Sequence, residues 1–314
     1  MTGAKSTFNV DSTHIVPHGT LLEGVTYDGR TDTLYYIDIP AGTLFAIPNS
    51  STLSNSDKPL EVPRSYAVDK SIGVIGLTTD PTKIICGVER AISLLDLQTG
   101  KIEQLAQYPN ENISASGAQY RSNDGSVGPD GTFWVGTMDT EEKENGGAMY
   151  VLKSKNGQLE ELWKDCGCPN GINWDTKTGR MYWTDSVFGM VYKYDYNFDT
   201  NEVDMKSKVP FFTNHGTPDG SCLDADGNLY VALWGSNRIV RMTPDQKIDM
   251  KWVFPSRNIT CCTFGDKDLT TLYVTSANLN AEDQPDANDR GAALYRIDLS
   301  ELGIKGLPKY QFVL

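Results

Sequence analysis

The chain has 314 residues and carries 28 Lys and Arg against 41 Asp and Glu, a formal net charge of −13. That balance disfavours a nucleic-acid partner or an anionic membrane surface, and suits solubility and cation binding. No apolar run is long enough to span a membrane as a helix, and no Pro-, Ser- or Gly-rich linker divides the chain, so residues 1–314 read as one domain.

The N-terminal stretch MTGAKSTFNVDSTHIV has no apolar core of signal-peptide length, and a cytoplasmic location is expected. Within it, Phe8 to Val10 and His14 to Val16 can form short strands. Six returning strands then follow: Leu34 to Asp38, Ile84 to Val88, Phe133 to Thr137, Met181 to Asp185, Leu229 to Leu233 and Leu272 to Ser276. They recur at intervals of about 43 to 50 residues, the span of one four-stranded propeller blade. Each is preceded by turn chemistry; Gly216 to Trp234 (GTPDGSCLDADGNLYVALW) gives the unit in full, an acid at the mouth of a hairpin closed by Asp224 to Asn228. The expected fold is all-β, a six-bladed β-propeller of four-stranded blades around a central channel.

Between these units, Pro48 to Lys58 reads as a surface loop. Glu141 to Gly147 and Asn278 to Arg290 are charged excursions, each either a lid or a solvated insertion. The apolar end Tyr310 to Leu314 suggests that a terminal strand completes the blade at the other terminus and removes an open edge. Cys86, Cys166, Cys168, Cys222, Cys261 and Cys262 lack zinc-site or disulfide-framework spacing and read as reduced structural thiols. Three histidines cannot build a His-rich zinc site, and no GxSxG elbow is present. Trp134, Trp174, Trp183 and Trp234 fall in strands and are expected in interblade packing.

In four repeats the first strand opens on an acid or amide followed by glycine: Glu23-Gly24, Asp124-Gly125, Asn170-Gly171 and Asp219-Gly220. Entrances of inner strands converge on a propeller's axis, and oxygen donors meeting there describe an axial site for one divalent metal cation. As dipeptides these pairs are also ordinary turns, but a turn reading must then explain what neutralises buried carboxylates.

With these motifs the chain resembles the gluconolactonase/regucalcin (senescence marker protein) family of six-bladed propellers. The resemblance runs through RSNDGSVGPDGTFWVGTM at Arg121 to Met138, PNGINW at Pro169 to Trp174, YWTDS at Tyr182 to Ser186 and PDGSCLDADGNLYVALWGSNRIVRMTP at Pro218 to Pro244. It implies a metal-dependent hydrolase that opens sugar-acid lactones to aldonic acids. By the same resemblance Glu23, Asn170 and Asp219 are metal ligands, Arg121, Asn123 and Glu141 bind substrate, and Asp219 is the candidate general base. Asp124 is the alternative base. Val25 stands where many members carry proline, and His215 enters the loop before Asp219.

The metal, calcium, zinc, manganese or magnesium, polarises the lactone carbonyl and activates water in this reading. The partner is a small-molecule sugar lactone, with no nucleic acid, membrane or protein partner implied. A non-catalytic calcium-binding or interaction propeller, and a related propeller esterase or phosphotriesterase, stay open as alternatives.

Overall fold

The computed structural model describes residues 6–10, 14–16, 19–53, 63–109, 120–213, 215–278 and 289–314. Six sheets follow one another along the chain as the blades of a β-propeller. Blade 1 is built from Leu22–Asp28, Thr33–Asp38, Thr43–Pro48 and Arg64–Ala67, innermost strand first. Blade 2 follows with inner strand Ile72–Thr78, blade 3 with Tyr120–Val127, blade 4 with Pro169–Asp175, blade 5 with Thr217–Leu223 and blade 6 with Asn258–Gly265. Every returning strand expected from the repeat lies second in its blade.

Inner strands are buried on both faces, so they are apolar, small or specifically paired, whereas outer strands are exposed or half-buried over most of their length. The core is divided into interblade seams. Trp134 and Met149 of blade 3 meet Trp174, Trp183 and Tyr194 of blade 4 in one of them. Tyr230 and Trp252 of blade 5 meet Phe264 and Tyr295 of blade 6 in another. Trp134, Trp174 and Trp183 are therefore packed as expected, but Trp234 is half-buried at the end of its strand and belongs to a cavity instead.

Both termini are used to close the ring. His14–Val16 pairs antiparallel with Leu294–Asp298 as the outer strand of blade 6, so the N-terminal segment completes the last blade. Ser6–Asn9 runs parallel beside Ile248–Val253 and covers the outer edge of blade 5. At the other terminus, Gln311–Phe312 pairs parallel with the inner strand of blade 2, and Phe312 is fully buried between blades 2 and 3. Leu307 to Tyr310 cross the channel on the way there, lining a small cavity with Ser126, Asn173 and Thr263. One end of the channel is thus covered by the C-terminal segment.

Tight Asx turns close the inner hairpins. In blade 5 Asp224 Oδ1 accepts the amides of Asp226 at 3.0 Å and Asn228 at 2.9 Å, with Gly227 at φ +82° supplying the reversal. All six cysteines are free thiols, and Cys222 and Cys262 bring their sulfurs to 3.5 Å inside the seam between blades 5 and 6. No helix among the described residues is long and apolar enough to cross a membrane. Residues 279–288 of the charged excursion Asn278 to Arg290, and residues 54–58 of the loop Pro48 to Lys58, lie outside the described residues.

Candidate active site

The strand register decides which side chains share the axis. Near the end of each returning strand, Asp38, Val88, Thr137, Asp185, Leu233 and Ser276 pair with Leu22, Ile72, Ser122, Pro169, Pro218 and Ile259. The next residue of each inner strand is Glu23, Gly73, Asn123, Asn170, Asp219 or Thr260. Each ladder then shifts by one residue, a β-bulge at the same height in every blade. A bulge re-aims side chains, and six of them at one level build a rosette around the axis. Gly73 contributes no side chain, and the Thr260 hydroxyl is committed to Leu22 O at 2.6 Å. Oxygen donors therefore come from Glu23, Asn123, Asn170 and Asp219.

This corrects the register read from sequence. Asn123, not Asp124, is the blade 3 equivalent of Glu23, Asn170 and Asp219, because the pairing Ser122↔Thr137 puts Asp124 one step past the shared rung. Asp124 matches Gly24, Gly171 and Gly220. Its Oδ1 accepts its neighbour Gly125 amide at 2.7 Å, and it senses the charge of Lys309 from the segment that covers the channel.

Glycines follow the axial residues for different reasons. Gly24 adopts φ +59°, a left-handed conformation that lets its amide turn back onto Glu23 Oε2 at 2.6 Å. At Gly171 a Cβ would lie 2.2 Å from Ser221 Oγ, so glycine allows blades 4 and 5 to approach.

A cavity of about 210 Å³ opens onto this rosette. Glu23, Arg121, Asn123, Asn170 and Asp219 line it together, so five of the residues singled out in the sequence converge. Asp124 is not in its lining. Neither is Glu141, which is exposed and bonded to Lys143 at 2.6 Å; its neighbour Glu142, at φ +53°, faces the cavity instead. In a turn whose trace is set by Asp139 accepting the Glu141 amide at 2.8 Å, a one-residue offset changes which acid points inward. His215 is exposed, its ring tilted against that of Phe212 with centroids 5.3 Å apart.

Hydrogen bonds orient the amides. Asn170 Nδ2 donates to Ser186 Oγ at 2.7 Å, and that hydroxyl donates to Pro218 O at 2.6 Å, which turns Asn170 Oδ1 the other way. Asn123 Nδ2 donates to Pro169 O at 2.9 Å, while its Oδ1 accepts from Arg121 Nη1 at 2.9 Å. Arg121 also donates from Nη1 to Ser122 O at 2.8 Å, so it is tied to the inner strand rather than to a surface carboxylate.

Electrostatically the site crowds buried acids together. Glu23 is 6% exposed, and burial followed by the charges of Asp219 and Asp124 holds its carboxyl well above the usual range. Asp219 is displaced the same way, by burial and then by Asp124, with the Gly220 amide and Arg121 opposing. Burial pushes Asp124 up to about 6, against its hydrogen bond from Gly125 and the Lys309 charge. Burial also lowers the proton affinity of the Arg121 guanidinium, although nearby acids oppose it. Crowded carboxylates with one guanidinium among them are what a bound cation would relieve. Among the described residues no three His, Cys, Asp or Glu side chains are grouped to hold a metal ion, so a cation here needs the Asn170 amide oxygen beside Glu23 and Asp219. Such an oxygen-only set fits a hard divalent ion.

A six-bladed propeller with an oxygen-donor cluster at one mouth of its channel is the class these features define. Residues 21–278 match the family model described as SMP-30/Gluconolactonase/LRE-like region, and the chain belongs to that family. It is 28% identical over 257 residues to a Bacillus subtilis (strain 168) protein provisionally named sugar lactone lactonase YvrE, covering 81% of this chain and 82% of the relative. Regucalcin of Oryctolagus cuniculus is 27% identical over 301 residues, 92% of this chain and 94% of that one. Among solved structures, a luciferin-regenerating enzyme superposes with a TM-score of 0.81 at 27% identity, covering 94% of this chain and 96% of that one.

Proposed function

We propose that this protein is a divalent-cation-dependent lactonase that opens sugar-acid lactones by hydrolysis. The observation that carries this reading is the rosette itself: Glu23, Asn170 and Asp219 at one height on three blades, beside Arg121 and Asn123, in a chain of the gluconolactonase family. Glu23, Asn170 and Asp219 would hold the cation, and when bound it would polarise the lactone carbonyl and lower the pKa of water.

The chain's own residues account for the remaining steps. Arg121 has guanidinium donors beyond Nη1 to orient a substrate oxygen, and Asn123, fixed at both ends, keeps the Arg121 fork in place. Asp219 takes the proton of the attacking water and returns it to the ring oxygen as the carbon–oxygen bond of the lactone breaks. Asp124, one step deeper, is the second acid able to store that proton. Glu142 at the rim takes the substrate-side position expected for Glu141.

The test is acid release from aldono-1,4- and 1,5-lactones after exhaustive chelation and after return of calcium, magnesium, manganese or zinc separately. Activity should vanish on chelation, return with at least one ion, and stay low in Glu23→Gln. Full activity in protein verified to be free of metal would end the proposal.

A further inference from the structure

The cavity joins a polar axial floor to a wall that is largely apolar. Its axial floor carries the carboxylates, amides and guanidinium described above, but its walls are Leu21 and Ile39 from blade 1, Met138 from blade 3, Val187 from blade 4 and Trp234 from blade 5. Backbone polar groups along that wall are already engaged. The Leu21 and Thr20 amides donate to Asp38 at 3.3 and 2.8 Å, the Ile39 amide donates to Leu21 O at 3.0 Å, and Asp185 takes the Gly167 and Cys168 amides. The Ser186 hydroxyl, although in the lining, is committed to Pro218 O and Asn170.

A fully hydroxylated aldonolactone presents hydroxyls on every side. Those facing Arg121, Asn123 and the axis would find partners, and Glu142 or Thr217 could meet one at the rim. A hydroxyl directed at Leu21, Ile39, Met138 or Val187 would lose its water without gaining a partner, which is unfavourable. An aromatic ring alone would suit the C–H face of any sugar; four aliphatic side chains beside it do not. From this division we infer that the substrate is a deoxysugar lactone, with hydroxyls at the cation edge and a methyl or short alkyl substituent against Leu21, Ile39, Met138, Val187 and Trp234. This rests on the lactonase reading and narrows it. A volume of about 210 Å³ leaves room for one ring and a short substituent.

Matched pairs test the inference in cation-loaded wild-type protein, with spontaneous ring opening subtracted. 6-Deoxymannono-1,4-lactone is compared with mannono-1,4-lactone, and 6-deoxygalactono- with galactono-1,4-lactone, each pair in the same enantiomeric series and differing by one hydroxyl. An apolar wall discriminates a methyl group from its hydroxylated counterpart by roughly 10–100-fold, so kcat/KM should favour the deoxy member of at least one pair by that ratio. Trp234→Gln and Met138→Gln should each shrink the ratio several-fold by offering the hydroxyl a partner. Equal or better use of the hydroxylated member in both pairs overturns the deoxysugar assignment and leaves the lactonase standing. A ratio unchanged in both variants, each shown to be folded by circular dichroism, overturns the role of the wall. Ring opening of none of the four lactones overturns the lactonase reading and this inference with it.

Discussion

Replacing Asp124 by asparagine should stabilise the ion-free protein at pH 8 and change it little at pH 4. The carboxyl titrates at 3.8 in a solvated reference and at about 6 in the fold, where burial is the first cause and the Gly125 amide and Lys309 charge pull back. A folded-state value raised above the unfolded one favours the protonated acid. The contribution to stability is complete below pH 3.8 and is lost as pH climbs through 6. A difference of roughly 2 pH units at 1.36 kcal/mol per unit amounts to about 3 kcal/mol above pH 6. Asparagine keeps an oxygen for the Gly125 amide, now 2.7 Å from Asp124 Oδ1, and removes the charge that raises both Glu23 and Asp219. The gain should therefore reach about 3 kcal/mol, a rise of roughly 5 °C in melting temperature for a chain of this size. Urea unfolding followed by tryptophan fluorescence, in chelator at pH 4, 6 and 8, measures it. An equal gain at pH 4 and pH 8, or a loss at pH 8, would refute the idea that this acid is held in the fold against its charge.

Three further substitutions separate roles. Asp219→Asn should weaken cation binding and stay nearly inactive when excess cation refills the site; recovery of kcat to near the wild-type value would make Asp219 a ligand alone and move the base to Asp124. Arg121→Ala should lower kcat/KM for lactones by roughly 10- to 100-fold, the loss expected for a charge-assisted substrate contact, with cation affinity by calorimetry near its original value. Equal loss of cation would instead make the guanidinium part of the ion site. Phe312→Ala should cost about 3–5 kcal/mol, because this fully buried ring fills the seam between blades 2 and 3 from a strand of only two residues; a change under about 1 kcal/mol in chemical denaturation would show the C-terminal segment to be dispensable.

The fold was legible because a propeller repeats its evidence. Strands such as LYYID, FWVGT and LYVAL are ambiguous singly, but their period and the Asp- and Gly-rich turns before them leave one architecture. Terminal pairings were legible only in kind. A ring needs a closing strand, yet nothing local says that His14–Val16 supplies it while Gln311–Phe312 goes to blade 2; those partners are set by packing between segments far apart in the chain.

The lining of the candidate cavity was legible to within one residue, and both misses are offsets of a single step. Counting from the acid to the returning strand treats every hairpin as equal, but the turns differ by one residue in length between blades, so spacing alone cannot separate Asn123 from Asp124. Glu141 and Glu142 differ by the same single step, in a turn where Glu142 adopts φ +53° and the alternation of a strand no longer predicts direction. Trp234 shows the opposite limitation. Its strand pattern matches that of the packed tryptophans, and only its place at the strand's end, opposite Thr217 at the mouth of the channel, makes it a wall of the cavity rather than part of a seam. Bulges thus do two things at once: they gather four oxygen-bearing side chains from separate blades at one height, and they displace the neighbouring acid Asp124 towards Lys309. Deleting one residue from a single bulge, for example Gly220 in blade 5, would keep the pairings Pro218↔Leu233 and Ser221↔Val231 but restore regular alternation between them, and so re-aim Asp219. Chemistry at the axis depends on an irregularity that the repeat conserves from blade to blade within this one chain.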